Sequence, residues 1–349
     1  MTRAAQFHEI GILLYPGARP AAVHGLMEQF EVGNFVLGER SGPDARPISL
    51  SQWEVAADGG HIGCTSETMP ASGLPDLLII PPNRHGDAPV AQEGVIAPWL
   101  IDLHRRGVTL AAACAGMFLL ARTGLLDGRR VAAHNCYGDA LAAGFPAIRV
   151  DSDRVVVDEG DILTSGGIMS WPDLGLRILE RHAGTGVMAE TARLMMLDPP
   201  GREQRFYRTF TPSMSHGDDA ILRVQTWLAG LREVTVSGAT MAERAGMERR
   251  TFLRRFKKAT GYKPTEYCQQ LRVEQARDLL ERTLRPVEQI SWQFGYSDPN
   301  AFRGVFRRVI GLTPAAYRTR FGVARGQDER ARTSVDTAAI EQDVRSATE

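Results

Sequence analysis

Residues from Glu9 to about Leu197 alternate short apolar runs with stretches of helical periodicity. Four runs predict strands: Ile10–Tyr15, Asp76–Pro82, Val108–Ala113 and Val131–His134. Several of them are apolar throughout, as is typical of central strands covered on both faces of a sheet. Residues 154–167 read as two further strands joined by a turn near Glu159–Gly160, which predicts a hairpin.

Helical periodicity occupies the segments between these runs. It predicts helices at Ala21–Val32, Ala115–Thr123, Trp171–Arg181 and Val187–Leu197. Alternation of strands and helices is typical of an open α/β sheet, so we assign residues 8–198 to an α/β domain. Residues 199–217 break the pattern and are predicted to form a linker.

Residues 218–322 contain no strand pattern and are predicted to be entirely helical. This part of the chain repeats itself at an offset of 50 residues. The matching pairs are Phe252 with Phe302, Phe256 with Phe306, Lys257–Lys258 with Arg307–Arg308, Gly261 with Gly311, Pro264 with Pro314, and Tyr267 with Tyr317. Matches in order at one offset, among rare residue types, indicate two copies of one structural unit.

Each copy contains a helix with one basic and one aromatic face. The basic side carries Arg250, Arg254, Lys257 and Lys258 in the first copy, and Asn300, Arg307 and Arg308, with Arg303 at its flank, in the second. Arg249 is a further candidate for DNA binding. A short helix and a glycine turn (Gly246, Gly295) precede each one, which is the helix-turn-helix arrangement. The basic helix of such a unit reads base edges in the major groove.

The segment between the two units, Thr265 to about Arg282, reads as one helix of roughly 27 Å. That length is close to the spacing of about 34 Å between successive major-groove faces. Such a rod can place both reading helices on one side of a duplex.

The formal net charge of zero conceals an uneven distribution. Residues 218–322 contain 19 Lys and Arg against 11 Asp and Glu, a net charge of +8. The net charge is −6 for residues 1–217 and −2 for the polar tail, 323–349, which is predicted to be disordered. A basic domain beside an acidic one indicates a polyanionic partner for the basic half.

The remaining composition narrows the class of protein. The four cysteines are widely spaced without a CxxC or Cys/His ligand pair, so neither a metal site nor a cofactor is expected. Neither a signal sequence nor a membrane-spanning run is evident, and a cytoplasmic location is expected.

The stretch from TMAERAGMERRTFLRRF to GLTPAAYRTRF strongly resembles the AraC/XylS-type DNA-binding domain over about 100 residues. The resemblance implies DNA contacts from Arg250, Arg254, Asn300 and Arg303. One departure is Gly304, at a position that often carries a base-contacting side chain in relatives. The resemblance further implies an operator in double-stranded DNA, RNA polymerase as a partner, a homodimer, and activation of transcription.

In the α/β domain, the apolar run ending at Ala113 leads directly into Cys114-Ala115-Gly116 and a helix. This is the geometry of a nucleophile elbow, in which helix N–H groups favour a thiolate or a bound anion. His134, at the end of the next predicted strand, could reach the same sheet edge. The glycine-rich loop Gly166–Gly167 could approach a ligand there.

The order of these motifs resembles the class I glutamine amidotransferase-like superfamily in its PfpI branch, over most of residues 9–197. Joined to an AraC-type domain, it is similar to the GlxA subfamily of regulators. The fold this implies is a flavodoxin-like sandwich with Cys114 at the elbow.

Two departures argue against catalysis. The residue after the elbow cysteine is Ala115, where peptidase-like relatives have histidine, and the acidic partner of the cysteine falls on Ala22. Without a carboxylate the thiol lacks a group to orient it and exchange its proton. The sequence therefore predicts a pocket that binds a small metabolite without turning it over.

The ligand can be bracketed by chemistry. Backbone N–H groups at Ala115–Met117 would suit a carboxylate, and Glu28, if it faced inward rather than solvent, would suit an amine. An amino acid, a betaine or a small amine fits that description. Trp99 and Trp171 either close this pocket or belong to the core.

Two other interpretations remain open at this point. The first is a cysteine hydrolase or hydratase fused to a regulator. The second is a helical domain that binds proteins and has no affinity for DNA.

Overall fold

The structure is a computed structural model that describes residues 7–66, 73–87, 90, 92–199, 201, 203–231 and 236–323. The chain divides into two compact units, Met1–Gln204 and Arg205–Glu349, which we treat separately. The tail predicted to be disordered lies outside the described residues, apart from Val323.

The first unit is built on a seven-stranded sheet in the order β3-β2-β1-β4-β5-β9-β8. Its strands are β1 (Glu9–Leu14), β2 (Ser49–Val55), β3 (Ile62–Cys64), β4 (Leu77–Ile80), β5 (Thr109–Ala113), β8 (Val156–Asp158) and β9 (Ile162–Ser165). The pairs among β2, β1, β4, β5 and β9 are parallel, whereas β3 and β8 run antiparallel at the two edges. Strands β6 (Arg130–Ala132) and β7 (Arg149–Asp151) form a separate parallel pair.

Helices cover both faces of this sheet. The helices of the unit are α1 (Pro20–Ser41), α2 (Glu93–Arg105), α3 (Met117–Ala121), α4 (Asn135–Gly144) and α5 (Trp171–Leu194). α1 and α5 pack on one face, where they share a core with Ile10, Ile12, Leu77 and Ile79. α2 and α3 pack on the other, around Leu78, Ile80 and Leu110. The unit is therefore the predicted α/β sandwich.

The predicted strands and hairpin of this unit are confirmed. β8 and β9 form the hairpin, and Gly160 in its turn has φ +94 and donates its N–H to Asp158 Oδ1. The two helices predicted between Trp171 and Leu197 form one continuous element that is broken at Gly184, where φ and ψ are not helical. β2, β3, β7, α2 and α4 were not predicted.

The second unit is helical, as expected. Its helices are α6 (Asp219–Ala229), α7 (Gly238–Arg244), α8 (Arg249–Thr260), α9 (Pro264–Arg282), α10 (Val287–Gln293), α11 (Pro299–Ile310) and α12 (Pro314–Phe321). One core forms around Phe252, Phe256 and Tyr267, and a second around Phe302, Phe306 and Tyr317. α9 contributes Tyr267 and Cys268 to the first core and Val273, Ala276 and Leu280 to the second.

The repeat predicted from the sequence is confirmed in atomic detail. Phe256 meets Tyr267 edge to face at 5.2 Å between ring centroids, and Phe306 meets Tyr317 at 5.6 Å. Gly261 and Gly311 end α8 and α11 in the left-handed region (φ +78 and +90), which favours glycine. The two helix-turn-helix copies therefore share these ring contacts and helix ends in the same register.

Residues of the expected linker pack on both units. Glu203 forms a β-bridge with Arg154, and the side-chain amide of Gln204 donates to the Arg154 carbonyl at 2.6 Å. On the second unit, the carbonyl of Arg208 accepts from the buried guanidinium of Arg277 at 2.5 Å. Each end of the segment is thus held by its own unit.

Candidate functional sites

Cys114 lies at a strained turn between β5 and α3. Its φ of +48 is a conformation that non-glycine residues seldom adopt and that recurs at functional sites. Two residues further on, a Cβ at Gly116 would lie 2.3 Å from the Pro81 carbonyl oxygen, so only glycine fits. The elbow predicted from the sequence therefore exists, at the carboxyl end of the parallel strands.

The surroundings of Cys114 favour a neutral thiol. The residue is buried, with 6% of its surface exposed, and burial raises the pKa of the thiol above its ordinary value. Backbone hydrogen bonds from Ala115 and Gly167, together with the charge of Arg19, lower this pKa but do not offset the burial. The two backbone groups come from the elbow and from the glycine-rich loop, so these two predicted segments meet at the sulfur.

Sequence reasoning missed three side chains that surround the elbow. The Tyr15 hydroxyl donates to the Pro81 carbonyl at 2.5 Å, and Tyr137 packs edge to face on Phe118. Arg19 begins α1, and its buried Nε atom has no hydrogen-bond partner among the described residues. The signal that could have found Arg19 and Tyr15 is their place directly after β1, because the carboxyl ends of parallel strands share one edge.

His134 lies at the start of α4, where its ring takes the cap position. Its Nδ1 contacts Cys136 Sγ at 2.8 Å and accepts from the Cys136 N–H at 3.3 Å. Burial lowers the pKa of this imidazole. The partner of His134 is thus the exposed Cys136 rather than Cys114, and β6, which leads to it, pairs with β7 outside the main sheet.

The other predicted positions divide between packing and surface. A Cβ at Gly166 would clash with Gln204, while Trp99 stacks near Trp53 with ring centroids 5.7 Å apart. The ring of Trp171 covers Gly25 on α1. These residues belong to the core, and Ala22 is buried in α1. Glu28 is exposed, so the interpretation in which it faces inward is wrong: α1 turns this position away from the sheet.

In the helical unit, α8 presents a row of cations to solvent. Arg249, Arg250, Arg254, Lys257 and Lys258 are all exposed, and Phe252 and Phe256 are fully buried on the opposite side. Glu248 caps the helix by accepting from two backbone N–H groups. Arg255 instead binds Asp218 at the start of α6 through two hydrogen bonds, at 2.9 and 2.8 Å, which fixes the orientation of α8.

The second helix-turn-helix copy repeats this construction, but different side chains lie on its surface. Asp298, at the offset of 50 from Glu248, caps α11, and Asn300, Arg307 and Arg308 are exposed. Arg303 is half-buried, donating to Asn300 Oδ1 at 3.0 Å and pairing with Glu288 on α10. Gly304 is exposed, and nothing lies within 4 Å of a Cβ added there. The second face is therefore poorer in free side chains than the first.

Two features are absent from the residues that the structure describes. They contain no group of three or more His, Cys, Asp or Glu side chains placed to hold a metal ion. None of their helices is both long and apolar enough to cross a membrane.

Comparison with known proteins agrees with this geometry. Residues 241–320 match a helix-turn-helix domain, and residues 48–181 match the DJ-1/PfpI family. The chain is 28% identical over 318 residues to the HTH-type transcriptional regulator ArgR of Pseudomonas aeruginosa, covering 89% of this chain and 92% of that protein. It is 27% identical over 223 residues to the HTH-type transcriptional regulator GlxA of Rhizobium meliloti, covering 63% of this chain and 68% of that protein.

Among solved structures, an AraC family transcriptional regulator from Pseudomonas putida is similar at 18% identity and a TM-score of 0.44, with 54% of this chain and 99% of that chain covered. The two domain matches, together with ArgR, of which 92% is covered, define the class of the protein. The chain is a DNA-binding transcription regulator with an AraC-type helix-turn-helix domain and a DJ-1/PfpI domain. Within that class it is similar to the ArgR and GlxA regulators.

Proposed function

We propose that α8 and α11 are the reading helices and insert into successive major grooves of an operator. The observation that carries this is the pair of exposed polar faces, built at a fixed offset on two cores that share the same three aromatic positions. α9 joins the units as one helix of 19 residues, about 28 Å long. In this proposal Arg249, Arg250, Arg254 and Asn300 reach bases, Arg303 is held ready by Asn300 and Glu288, and Lys257, Lys258, Arg307 and Arg308 bind phosphates.

The test is operator binding by the full chain, with the duplex taken from random-library selection. Replacing Arg254 by alanine should weaken binding by about 1–3 kcal/mol and relax sequence preference at one position. Arg282→Ala on α9 is the matched control, because its guanidinium is 74% exposed and pairs only with Asp278 within one helix. Equal affinity and preference in wild type and Arg254→Ala would refute the assignment of α8.

We further propose that the DJ-1/PfpI domain binds a small effector at the elbow without chemical turnover. Support comes from the buried thiol with its raised pKa, from the partner of His134 being Cys136, and from Ala22 and Ala115 at positions where acid–base groups would be needed. Arg19 and the backbone groups of Ala115 and Gly167 would suit a carboxylate. The effector in this proposal is thus a small metabolite with a carboxylate, such as an amino acid or a betaine.

A thermal-shift screen against amino acids, betaines and small amines tests this proposal. An effector should raise the melting temperature of wild type and of Cys114→Ala alike, because binding needs no thiol chemistry. Consumption of the compound by wild type, abolished in Cys114→Ser, would instead support a cysteine hydrolase or hydratase. Alkylation by iodoacetamide at pH 7 should mark the exposed Cys136 well before the buried Cys114.

The regulator is proposed to act as a homodimer that activates transcription through RNA polymerase, as the resemblance to its family implies. Light scattering of the full chain gives the number of subunits. In vitro transcription from a selected operator should rise with the protein and the effector together. A fall in transcript would make the protein a repressor instead.

A further inference from the structure

Leu253 is an apolar side chain on the basic face of α8. It is 40% exposed, unlike the fully buried Phe252 and Phe256 on the core side of the same helix. At about 100° per residue it lies about 60° from Arg250 and about 40° from Lys257 around the helix axis. On α8, which the structure describes in full, it is the one apolar residue in the exposed class.

Packing does not explain this leucine. The inner face of α8 is filled by Phe252 and Phe256, whose rings lie 5.3 Å apart and close the first core with Tyr267. A single exposed leucine is ordinary on a protein surface, so exposure alone carries no argument. What distinguishes Leu253 is its position, within one turn of Arg250 and Arg254 on the surface proposed to enter the groove.

In the second helix-turn-helix copy, the position equivalent to Leu253 carries a charged side chain. At the offset of 50 residues stands Arg303, whose guanidinium is bound by Asn300 and Glu288. In the first unit the residue at the offset from Glu288 is Gly238, which offers no carboxylate. The repeat thus preserves the core and the caps while replacing a held cation by a bare apolar side chain.

The base edges of the major groove present hydrogen-bond donors and acceptors and, at thymine alone, a methyl group. The neighbouring Arg250 and Arg254 only donate hydrogen bonds, so they match acceptors such as guanine O6 and N7. Neither can distinguish a thymine by its methyl group. An apolar side chain on the same face can, because contact with the methyl removes apolar surface from water.

We propose that Leu253 is a specificity-determining residue that reads the 5-methyl group of a thymine beside the base contacted by Arg250 or Arg254. This inference rests on the proposal that α8 lies in the major groove. It assigns the first unit a mixed readout, with acceptors recognised by arginine and a methyl group by leucine. The second unit, with Arg303 at this position, lacks that readout.

The experiment removes the methyl group and nothing else. Full-length protein selects duplexes from a random library, and each thymine of the selected site is then replaced singly by uracil, which keeps the pairing and the O4 acceptor. At one thymine in the half-site of α8, uracil should weaken binding of wild type about threefold to fivefold, the value expected for one buried methyl-sized group. Leu253→Ala should bind the thymine duplex more weakly by the same factor and should not distinguish uracil from thymine.

Two further variants serve as controls. Leu253→Met keeps an apolar side chain of similar volume and should retain sensitivity to uracil. Leu284→Ala removes a leucine that is 49% exposed but lies outside α8, and it should behave as wild type. Circular dichroism of all three variants verifies that each is folded.

The outcomes separate this inference from the proposal beneath it. If no duplex is selected, or if Arg254→Ala binds as wild type does, α8 is not the reading helix and both fail. If binding depends on Arg254 but no uracil substitution distinguishes wild type from Leu253→Ala, the role of Leu253 alone is refuted. A uracil penalty that persists in Leu253→Ala would assign the methyl contact to another residue and overturn the inference as well.

Discussion

At the scale of single residues, the elbow after Cys114 depends on Gly116, which has no side chain. The Cβ of an alanine at position 116 would lie 2.3 Å from the Pro81 carbonyl oxygen and 2.9 Å from that of Ile80. Backbone cannot move aside as a flexible side chain can, so α3 would have to shift away from β4. We expect Gly116→Ala to lower the free energy of unfolding of the α/β unit by about 1–3 kcal/mol.

Gly38→Ala is the matched control for that substitution. Gly38 lies inside α1, has ordinary helical φ, and its added Cβ would meet nothing within 4 Å. Alanine there should stabilise the unit by about 0.5–1 kcal/mol. Scanning calorimetry of both variants gives the two shifts in melting temperature, and equal shifts would show that the contact with Pro81 is not a constraint.

Individual site residues were predictable only where local sequence determines their place. Cys114 and Gly116 could be recognised because a strand, a small-residue turn and a helix follow one another directly. The role of Arg19 beside the elbow depends on β1 and β5 ending at the same sheet edge, across almost a hundred residues. The pairing of His134 with Cys136 depends on the capping geometry of α4, a helix that was not predicted.

At the scale of elements, strong periodicity was informative and half-buried or short elements were not. β2 alternates exposed and buried positions, with Ser49, Gln52 and Glu54 among them, and so lacks the apolar run of a central strand. β3 and β7 have three residues each, and α2 carries Pro98 in its interior. In the helical unit, by contrast, two copies of each signal reinforced each other. The two short helices, the two basic helices and the helix between the copies were all expected.

The exposed face of α11, proposed to read DNA, gives a prediction at the scale of elements. Gly304 on α11 stands at the position that Arg254 has on α8, and nothing lies within 4 Å of a Cβ added there. Gly304→Arg should tighten operator binding because it restores a cation to the face and removes a glycine from a helix. If the new guanidinium binds a phosphate, the salt dependence of log K should steepen by about 0.9.

The matched control adds the same charge elsewhere in the unit. Ala315→Arg on α12 places a guanidinium at an exposed position outside α11. Its effect on affinity should be smaller, because it supplies charge without access to the groove. Titrations of both variants at several salt concentrations decide the matter, and equal gains would mean that only net charge counts.

The contact between α6 and α8 gives a prediction about pH. Hydrogen bonds from the Arg255 guanidinium lower the pKa of the Asp218 carboxyl below its ordinary value. A carboxyl with a lowered pKa in the folded state stabilises the protein above the unfolded pKa of about 3.9, and this contribution is lost as the pH falls through the folded value. The contact between Arg255 and Asp218 that orients α8 should therefore weaken in acid.

Asp218→Asn isolates this contribution, because an amide can still cap α6 by accepting from Ile221 but carries no charge. At pH 7 the variant should melt below wild type in its helical unit. The difference should shrink as the pH is lowered from about 5 towards 3, since wild type then loses its charge too. A difference in melting temperature that stays constant over this range would mean that the charge of Asp218 does not contribute to its contact with Arg255.

At the scale of the whole molecule, the proposed function requires that an effector bound to the α/β unit change DNA binding by the helical unit. The sequence places opposite net charges on the two parts, −6 before residue 218 and +8 from there to residue 322. The basic part suits a polyanion, and the α/β unit has an elbow at which backbone N–H groups of Ala115 and Gly167 reach the buried Cys114 sulfur. In the proposed function, each unit binds a different ligand, and regulation depends on thermodynamic coupling between the two binding sites.

Coupling between two binding sites is reciprocal, which gives the last prediction. If an effector changes the affinity for the selected operator by a given factor, the operator must change the affinity for that effector by the same factor, typically about 5–150-fold. Calorimetric titration of the effector into the full chain, with and without saturating operator, measures one factor, and operator titration with and without effector measures the other. Equal factors above one establish that both ligands act on one conformational equilibrium. An effector that binds equally well in both conditions would leave the α/β unit a binding module without influence on the reading helices.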